Sequence, residues 1–424
     1  MQAPASLLRA LPSGLANAPA GPALWAQSPL SRLSDAALGA AVAEAISAPK
    51  RQADGSFLTH APLELAARLG LLPIAAPSAR DQARRRIAAI AGDYARAGEE
   101  VETRARQFTN SDAAIAFLKL AIREGDIDGA DATLVFLVPR VSASVLRSAL
   151  AQAVLPMLGA AAHAPILLAN LPRLEGDIAG AGALLRAPVS MITSTSEARL
   201  TWHETDHNRA TDSDAESGLF QRLSAPPPVR STSPFIAPTM LAVEAQGYAA
   251  RQLGGATSAL SVERAACTIL RVAALSMLQD DPASAPYGWT HALTMPLGVL
   301  GCADAIEDKR ALIRVAATYA LGFRATLGRA AIVDAPPPRP RSDEILDVDP
   351  IDAAGAVYHA TLARLPAIKS TLATRAVTHT DAHLAKYTLA SFEAAARDPA
   401  ASRLYLAAAA YLGAWWDAHP DARF

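Results

Sequence analysis

At 424 residues, 51 % hydrophobic and 19 % charged, the chain has the composition of a folded, rather apolar globular protein and excludes wholesale disorder. Its 39 Lys and Arg balance 40 Asp and Glu, leaving a formal net charge of −1, so no basic surplus exists to neutralise phosphates and nucleic acid is excluded as an expected partner. Only two cysteines occur, Cys267 and Cys302, both in alanine- and leucine-rich surroundings. They predict buried thiols in a reducing, cytoplasmic setting, with no disulfide framework and no thiolate metal site.

The first thirty residues, rich in Ala, Pro, Ser and Leu, read as an irregular arm. They lack the compact apolar run and cleavage site of a secretory signal. Ser34 or Asp35 caps a first helix through about Ser47. An apolar helix is expected over Leu63 to Leu71, and another starts at the Ser78 cap. Apolar and arginine positions recur at helical spacing through Asp81 to Arg106, giving one or two amphipathic helices. Further helices are predicted over Ser111 to Arg123, Gly129 to Phe136, Val141 to Leu158, Ala162 to Leu171, Gly180 to Leu185, Met240 to Gln252 and Ser261 to Gln279. The series closes with Ala311 to Leu327, Asp352 to Leu365, Asp381 to Ala396 and Ser402 to His419.

No stretch shows sustained period-two alternation, so the fold class is all-α: an N-terminal arm and first helix over 1–50, then a single large helical domain over 51–424. Ser148 to Pro172 carries no formal charge, but Pro156, Pro165, Gln152 and His163 interrupt it, and two core helices fit better than a membrane span. The long breaks Thr193 to Pro238 and Asp334 to Asp349 contain the proline runs Pro226 to Pro228 and Pro336 to Pro338. Breaks of that length are candidate lids or wrapping segments.

Nine histidines carry most of the chemistry. His379, Asp381, His383 and Lys386 fall in one short segment, and in a continuous helix His379, His383 and Lys386 would share a face. Lysine is rare here, at five residues, and unlike arginine it can lose its proton when buried. His163 lies in the longest uncharged stretch and should be buried, where a satisfied core histidine competes with a ligand. His60 stands at the entrance to an apolar helix. His291 follows Tyr287 and Trp289, which fit a pocket wall or plain packing. His359 and His419 lie near helix ends. His203 to His207 formally matches H-E-x-x-H, but its polar surroundings favour a chance match over a zinc helix. Neither a Gly-x-Ser-x-Gly elbow, a P-loop nor a dinucleotide fingerprint is present.

The pieces Thr59-His60-Ala61-Pro62-Leu63-Glu64-Leu65-Ala66, Trp289-Thr290-His291-Ala292-Leu293-Thr294-Met295-Pro296 and His383-Leu384-Ala385-Lys386-Tyr387-Thr388 resemble the questin oxidase-like family in content, order and spacing. The likeness runs from about Gly55 to Trp416. That family is mostly helical and includes enzymes that open anthraquinone rings in polyketide pathways. The resemblance implies a non-heme Fe(II) oxygenase whose metal is held by His60, His163, His291, His383 and a carboxylated Lys386, acting with dioxygen on an anthraquinone-like or other phenolic polyketide. Some members have been described instead as NADPH-dependent Baeyer–Villiger oxidases, so an iron-free oxidase using NADPH or a flavin is the first alternative. A helical ligand-binding protein without catalysis is the second. No residue beyond the ligands receives a catalytic role.

Overall fold

In a computed structural model, which describes residues 4–11, 21–51, 55–178, 180–204, 215–231, 235–420 and 422, helix accounts for about 73 % of the chain. The all-α expectation holds. Among the described residues only Lys50–Arg51 and Glu99–Glu100 form strands, a two-residue antiparallel pair with Lys50 opposite Glu100. The chain divides into two compact helical units, one built from 1–73, 77–199 and 304–306, the other from 74–76, 200–303 and 307–424.

In the first unit the arm is more ordered than expected. Helices Pro4–Arg9 and Gly21–Gln27 bury Leu8 and Trp25 completely or nearly so. Asp35–Ala45 begins at Ser34, whose hydroxyl accepts the Ala37 N–H at 3.1 Å, as its capping chemistry demands. The next helix runs Gly55–Leu71 with Pro62 inside it, so it starts about two turns before the predicted Leu63. A mid-helix proline costs ~3 kcal/mol. That cost is offset because Leu58, Ala61, Leu65 and Leu69 form one continuous buried stripe at helical spacing, and each large apolar side chain so buried contributes roughly 1.5–3 kcal/mol. His60 therefore sits within the helix rather than at its entrance.

Arg80–Arg96 begins without a Ser78 side-chain cap and ends well short of Arg106. His163 lies between a tight turn at Ala160–Ala162 and the helix Ala164–Asp177, which extends past the predicted Leu171. A short helix, Arg186–Thr193, has no counterpart in the sequence reading.

In the second unit the predicted Met240 to Gln252 helix is two, Ile236–Ala245 and Tyr248–Ala259, broken where Gly247 adopts φ +61°. Val262–Gln279 is capped by Ser261 as expected, and Lys309–Leu327 packs against it. Asp352 to Leu365 resolves into the helix Pro350–Tyr358 and a separate one, Leu365–Thr378. Ala382–Arg397 and Ser402–Ala418 follow the prediction within two residues and pack together. The proline runs of both breaks are tied to neighbouring helices. Tyr248 donates to the Pro227 carbonyl at 2.6 Å, His359 bonds the Pro337 carbonyl at 2.9 Å, and Arg341 and Arg364 reach Asp352 and Asp343. The 334–349 segment is thus fastened to the helix that follows it, Pro350–Tyr358, and to Arg364. Cys302 is buried as expected, whereas Cys267 is half-exposed. No described helix is long and apolar enough to cross a membrane.

On the His60 helix, Glu64 and Arg68 are four residues apart and almost wholly buried, with Arg68 Nε donating at 2.7 Å and Arg86 near the same carboxylate oxygen at 3.6 Å. Removing one charge from a buried pair strands the other. Glu64→Gln is therefore expected to destabilise the protein by about 3–5 kcal/mol, read as a lowered urea midpoint at unchanged slope.

Candidate metal centre

In the first unit His60 and His163 meet through their outer ring nitrogens, Nε2 to Nε2, at 3.2 Å, with ring centres 4.9 Å apart. The Nδ1 of His163 faces the carbonyls of Ala161 at 2.8 Å and Ala160 at 3.2 Å. Carbonyl oxygens only accept, so that Nδ1 carries the proton and Nε2 the lone pair. The turn that supplies these carbonyls is unusual. Ala160, Ala161 and Ala162 all take positive φ, at 52°, 48° and 57°. Left-handed backbone costs an L-residue ~1–2 kcal/mol, and three in a row make this the most strained described segment. Gly159 precedes it where a Cβ would come within 2.7 Å of the Ile192 backbone, so only glycine fits.

In the second unit His291 lies on Thr290–Leu300, and His383 and Lys386 on Ala382–Arg397. All three are buried, between 6 and 8 % exposed. The His291 Nδ1 donates to the Tyr287 carbonyl in a short contact. The His383 Nδ1 donates to Asp381 Oδ1 at 3.1 Å. Their rings stand nearly perpendicular, with centres 5.1 Å apart. In both histidines the lone pair again falls on Nε2.

Asp381 has three partners. Its Oδ1 also accepts the His383 backbone N–H at 2.6 Å, capping the helix, while Oδ2 accepts the Tyr287 hydroxyl at 3.0 Å. Burial by itself would raise the Asp381 carboxyl, but the hydrogen bonds from the ring and backbone N–H of His383, with the Tyr287 hydroxyl, outweigh it and hold the group well below the usual carboxylate range. Burial first, and then the neighbouring Asp381 charge, push the Tyr287 phenol far above its ordinary value, so it stays protonated and donating. Tyr387, one turn beyond His383 and fully buried, is likewise kept neutral by burial.

His379 corrects the sequence reading. It ends the preceding helix, Leu365–Thr378, in extended conformation, and its Nδ1 accepts the Asp381 N–H at 3.0 Å. It therefore does not share the helical face of His383 and Lys386. Its ring packs on Trp416, and a cleft of about 260 Å³ opens beside Tyr287, His379, Asp381 and Trp416. His203 lies in the three-residue turn Trp202–Glu204, with its carbonyl accepting from Arg314 at 3.0 Å. Only the first two residues of the H-E-x-x-H match, His203 and Glu204, are described, and His207 lies outside the described residues. His359 and His419 cap helices, as their positions near helix ends suggest.

No family model, curated protein or solved structure matches this chain.

Two tests of metal fit follow from donor chemistry and geometry. Metal-bound histidines almost always give their second ring nitrogen to a carboxylate or carbonyl, and His163, His291 and His383 each do so. Two imidazoles bound cis to one ion through bonds of about 2.1 Å would place their nitrogens about 3 Å and their ring centres about 5 Å apart. The His60–His163 pair matches both distances and the His291–His383 pair matches the second. The sequence left Asp381 without a role and read Tyr287 only as pocket wall or packing. The Asp-x-His spacing at a helix start was the available signal for Asp381, since an N-cap carboxylate lies next to the side chain two positions on.

Ala161→Gly is expected to relieve the left-handed strain and raise stability by about 1 kcal/mol despite glycine's greater unfolded-state entropy. A thermal melt checks it, and the same substitution in the helical Ala407 should lower stability instead.

Proposed function

We propose that the protein is an Fe(II)-dependent oxygenase that opens a ring of a phenolic or quinonoid polyketide with dioxygen, using His60, His163, His291, His383 and a carboxylated Lys386 as the ligand set. The observation that carries the reading is the tautomer control described above: three of the four histidines have Nδ1 tied to a protein oxygen, so the nitrogen left to bind is Nε2 in each. The substrate class rests on the sequence resemblance. Bound Fe(II) supplies the one-electron chemistry that lets dioxygen react with an electron-rich ring.

The chain's own residues do the rest. Neutral imidazoles suit Fe(II), whereas a protonated lysine would repel it. Addition of carbon dioxide to the neutral Lys386 amine, with loss of one proton, gives a carbamate whose anionic oxygen offsets part of the metal charge. Lys386 follows His383 by three residues on one helix, so the two side chains share a face. The Asp381 carboxylate raises the basicity of the His383 imidazole and fixes its ring plane. The buried setting of His163, His291 and His383 limits water around the reacting groups. The cleft beside Tyr287 and Trp416 is close to the lower size limit of small-molecule pockets and has aromatic walls suited to a flat ring.

Protein loaded anaerobically is expected to hold one iron per chain, and His163→Ala and His383→Ala should each reduce that content at least tenfold while circular dichroism remains helical. Growth or reconstitution in ¹³C-bicarbonate should give a carbamate carbon resonance that Lys386→Ala removes. Iron-free protein that turns over a hydroxyanthraquinone with NADPH would overturn the reading in favour of a metal-independent oxidase. Wild-type protein that neither binds iron nor shows the carbamate would overturn it altogether.

A further inference from the structure

The two histidines of the second unit are not anchored separately. His291 gives its Nδ1 proton to the backbone carbonyl of Tyr287. His383 gives its own to Asp381, whose other carboxylate oxygen takes the hydroxyl of the same Tyr287 at 3.0 Å. The Tyr287 ring then stands edge-on against the His383 imidazole, with centres 4.5 Å apart at 82°. Three contacts from one residue thus converge on two imidazoles. The segment that makes this possible is the π-helical turn Ala285–Trp289, which runs directly into the His291 helix. Such turns are rare and concentrate at functional sites. The wider turn lets residue 287 point its carbonyl at the side chain four residues on while its own phenol reaches across to Asp381.

We infer that Tyr287 is a positioning residue that sets the tautomer and mutual orientation of His291 and His383 together, with Asp381 as its arm to His383, so that both imidazoles present Nε2 to one cation. The inference rests on the ligand reading proposed above and extends it to residues outside the ligand set. Sequence position alone would assign Tyr287 to a pocket wall, because nothing in the spacing links it to Asp381, 94 residues away.

A matched pair provides the control. At the far end of the Ala382–Arg397 helix, about 15 residues or ~22 Å along its axis from His383, the capping residue Asp398 is buried and accepts the hydroxyl of Tyr405, on the following helix, at 3.0 Å, and Asp398 also binds Arg271. Tyr405→Phe likewise removes a phenol-to-carboxylate bond, here a fully buried one, without touching a histidine.

The test uses the full chain stripped of metal and titrated anaerobically with Co(II), read by visible absorption and by affinity. Tyr287→Phe keeps the ring and the carbonyl and removes only the hydroxyl. It is expected to weaken Co(II) about tenfold and to alter the ligand-field bands. Asp381→Asn keeps a good helix N-cap and should weaken binding by about 10–100-fold. Tyr405→Phe should lower the melting temperature by a similar amount to Tyr287→Phe and leave cobalt affinity and spectrum as in the wild type. Wild-type binding with Tyr287→Phe and Asp381→Asn both unchanged in affinity and spectrum would overturn the positioning role while leaving the ligand reading intact. Wild-type protein that takes up no cobalt would overturn the ligand reading, and this inference with it. Equal spectral change in Tyr405→Phe would reduce Tyr287 to a merely structural residue and overturn the inference as well.

Discussion

A histidine binds a cation through a ring nitrogen that keeps its lone pair, and an acceptor at the other nitrogen fixes which one that is. That constraint organises much of what surrounds these imidazoles. A neutral imidazole carries one proton and chooses between two nitrogens, and a hydrogen bond to oxygen at Nδ1 settles the choice. Here the oxygens come from three different devices: a left-handed alanine turn for His163, a π-helical turn for His291 and a helix N-cap for His383. Each departs from regular α-helix, and each departure aims a backbone carbonyl or a capping carboxylate at an imidazole. Regular helix cannot do this as readily, because its carbonyls are already engaged along the axis.

Asp381 shows how folding and site chemistry become one interaction. The oxygen that satisfies the orphan N–H at the start of the Ala382–Arg397 helix is the oxygen that holds the His383 ring. An N-cap acceptor of this kind stabilises a helix by ~1 kcal/mol, so the helix start and the imidazole orientation form together. The phenol of Tyr287 at the second oxygen then leaves the carboxylate little rotational freedom. A buried carboxylate without such partners would be expelled or protonated.

The helices were legible because they follow from spacing and caps. Ser34, Asn110, Ser142, Ser261 and Asp381 all accept the backbone N–H that their type predicts at a helix start. What escaped depends on tertiary packing. Pro62 reads locally as a helix start, yet the buried stripe from Leu58 to Leu69 outweighs it and carries His60 into the helix interior. His379 reads as part of a helical stripe, yet the chain breaks there and Asp381 begins a new helix. Among the candidate ligands, the burial of His163, His291, His383 and Lys386 was foreseeable from their apolar neighbours. The Nδ1 anchors were not, because a run of three left-handed alanines has no signature in an alanine-rich sequence, and the Tyr287–Asp381 bond joins segments that share no motif.

The choice of lysine at position 386 ties composition to chemistry. Four of the five lysines have ordinary settings: Lys50 faces the Glu100 carboxylate, Lys309 the Ala303 carbonyl, Lys369 the ring of Phe392, and Lys119 is exposed. Arginine serves in the buried ion pairs, at Arg68, Arg186 and Arg324, where a permanent, forked cation is the better partner for a carboxylate. Lys386 is the exception, a buried lysine one helical turn from a histidine whose tautomer is fixed. An arginine there would keep its charge at any accessible pH and could not add carbon dioxide. Only a side chain able to shed its proton and become an anionic donor suits a position shared with neutral imidazoles, and in a protein that otherwise favours arginine, lysine at 386 is the residue type that the proposed chemistry requires.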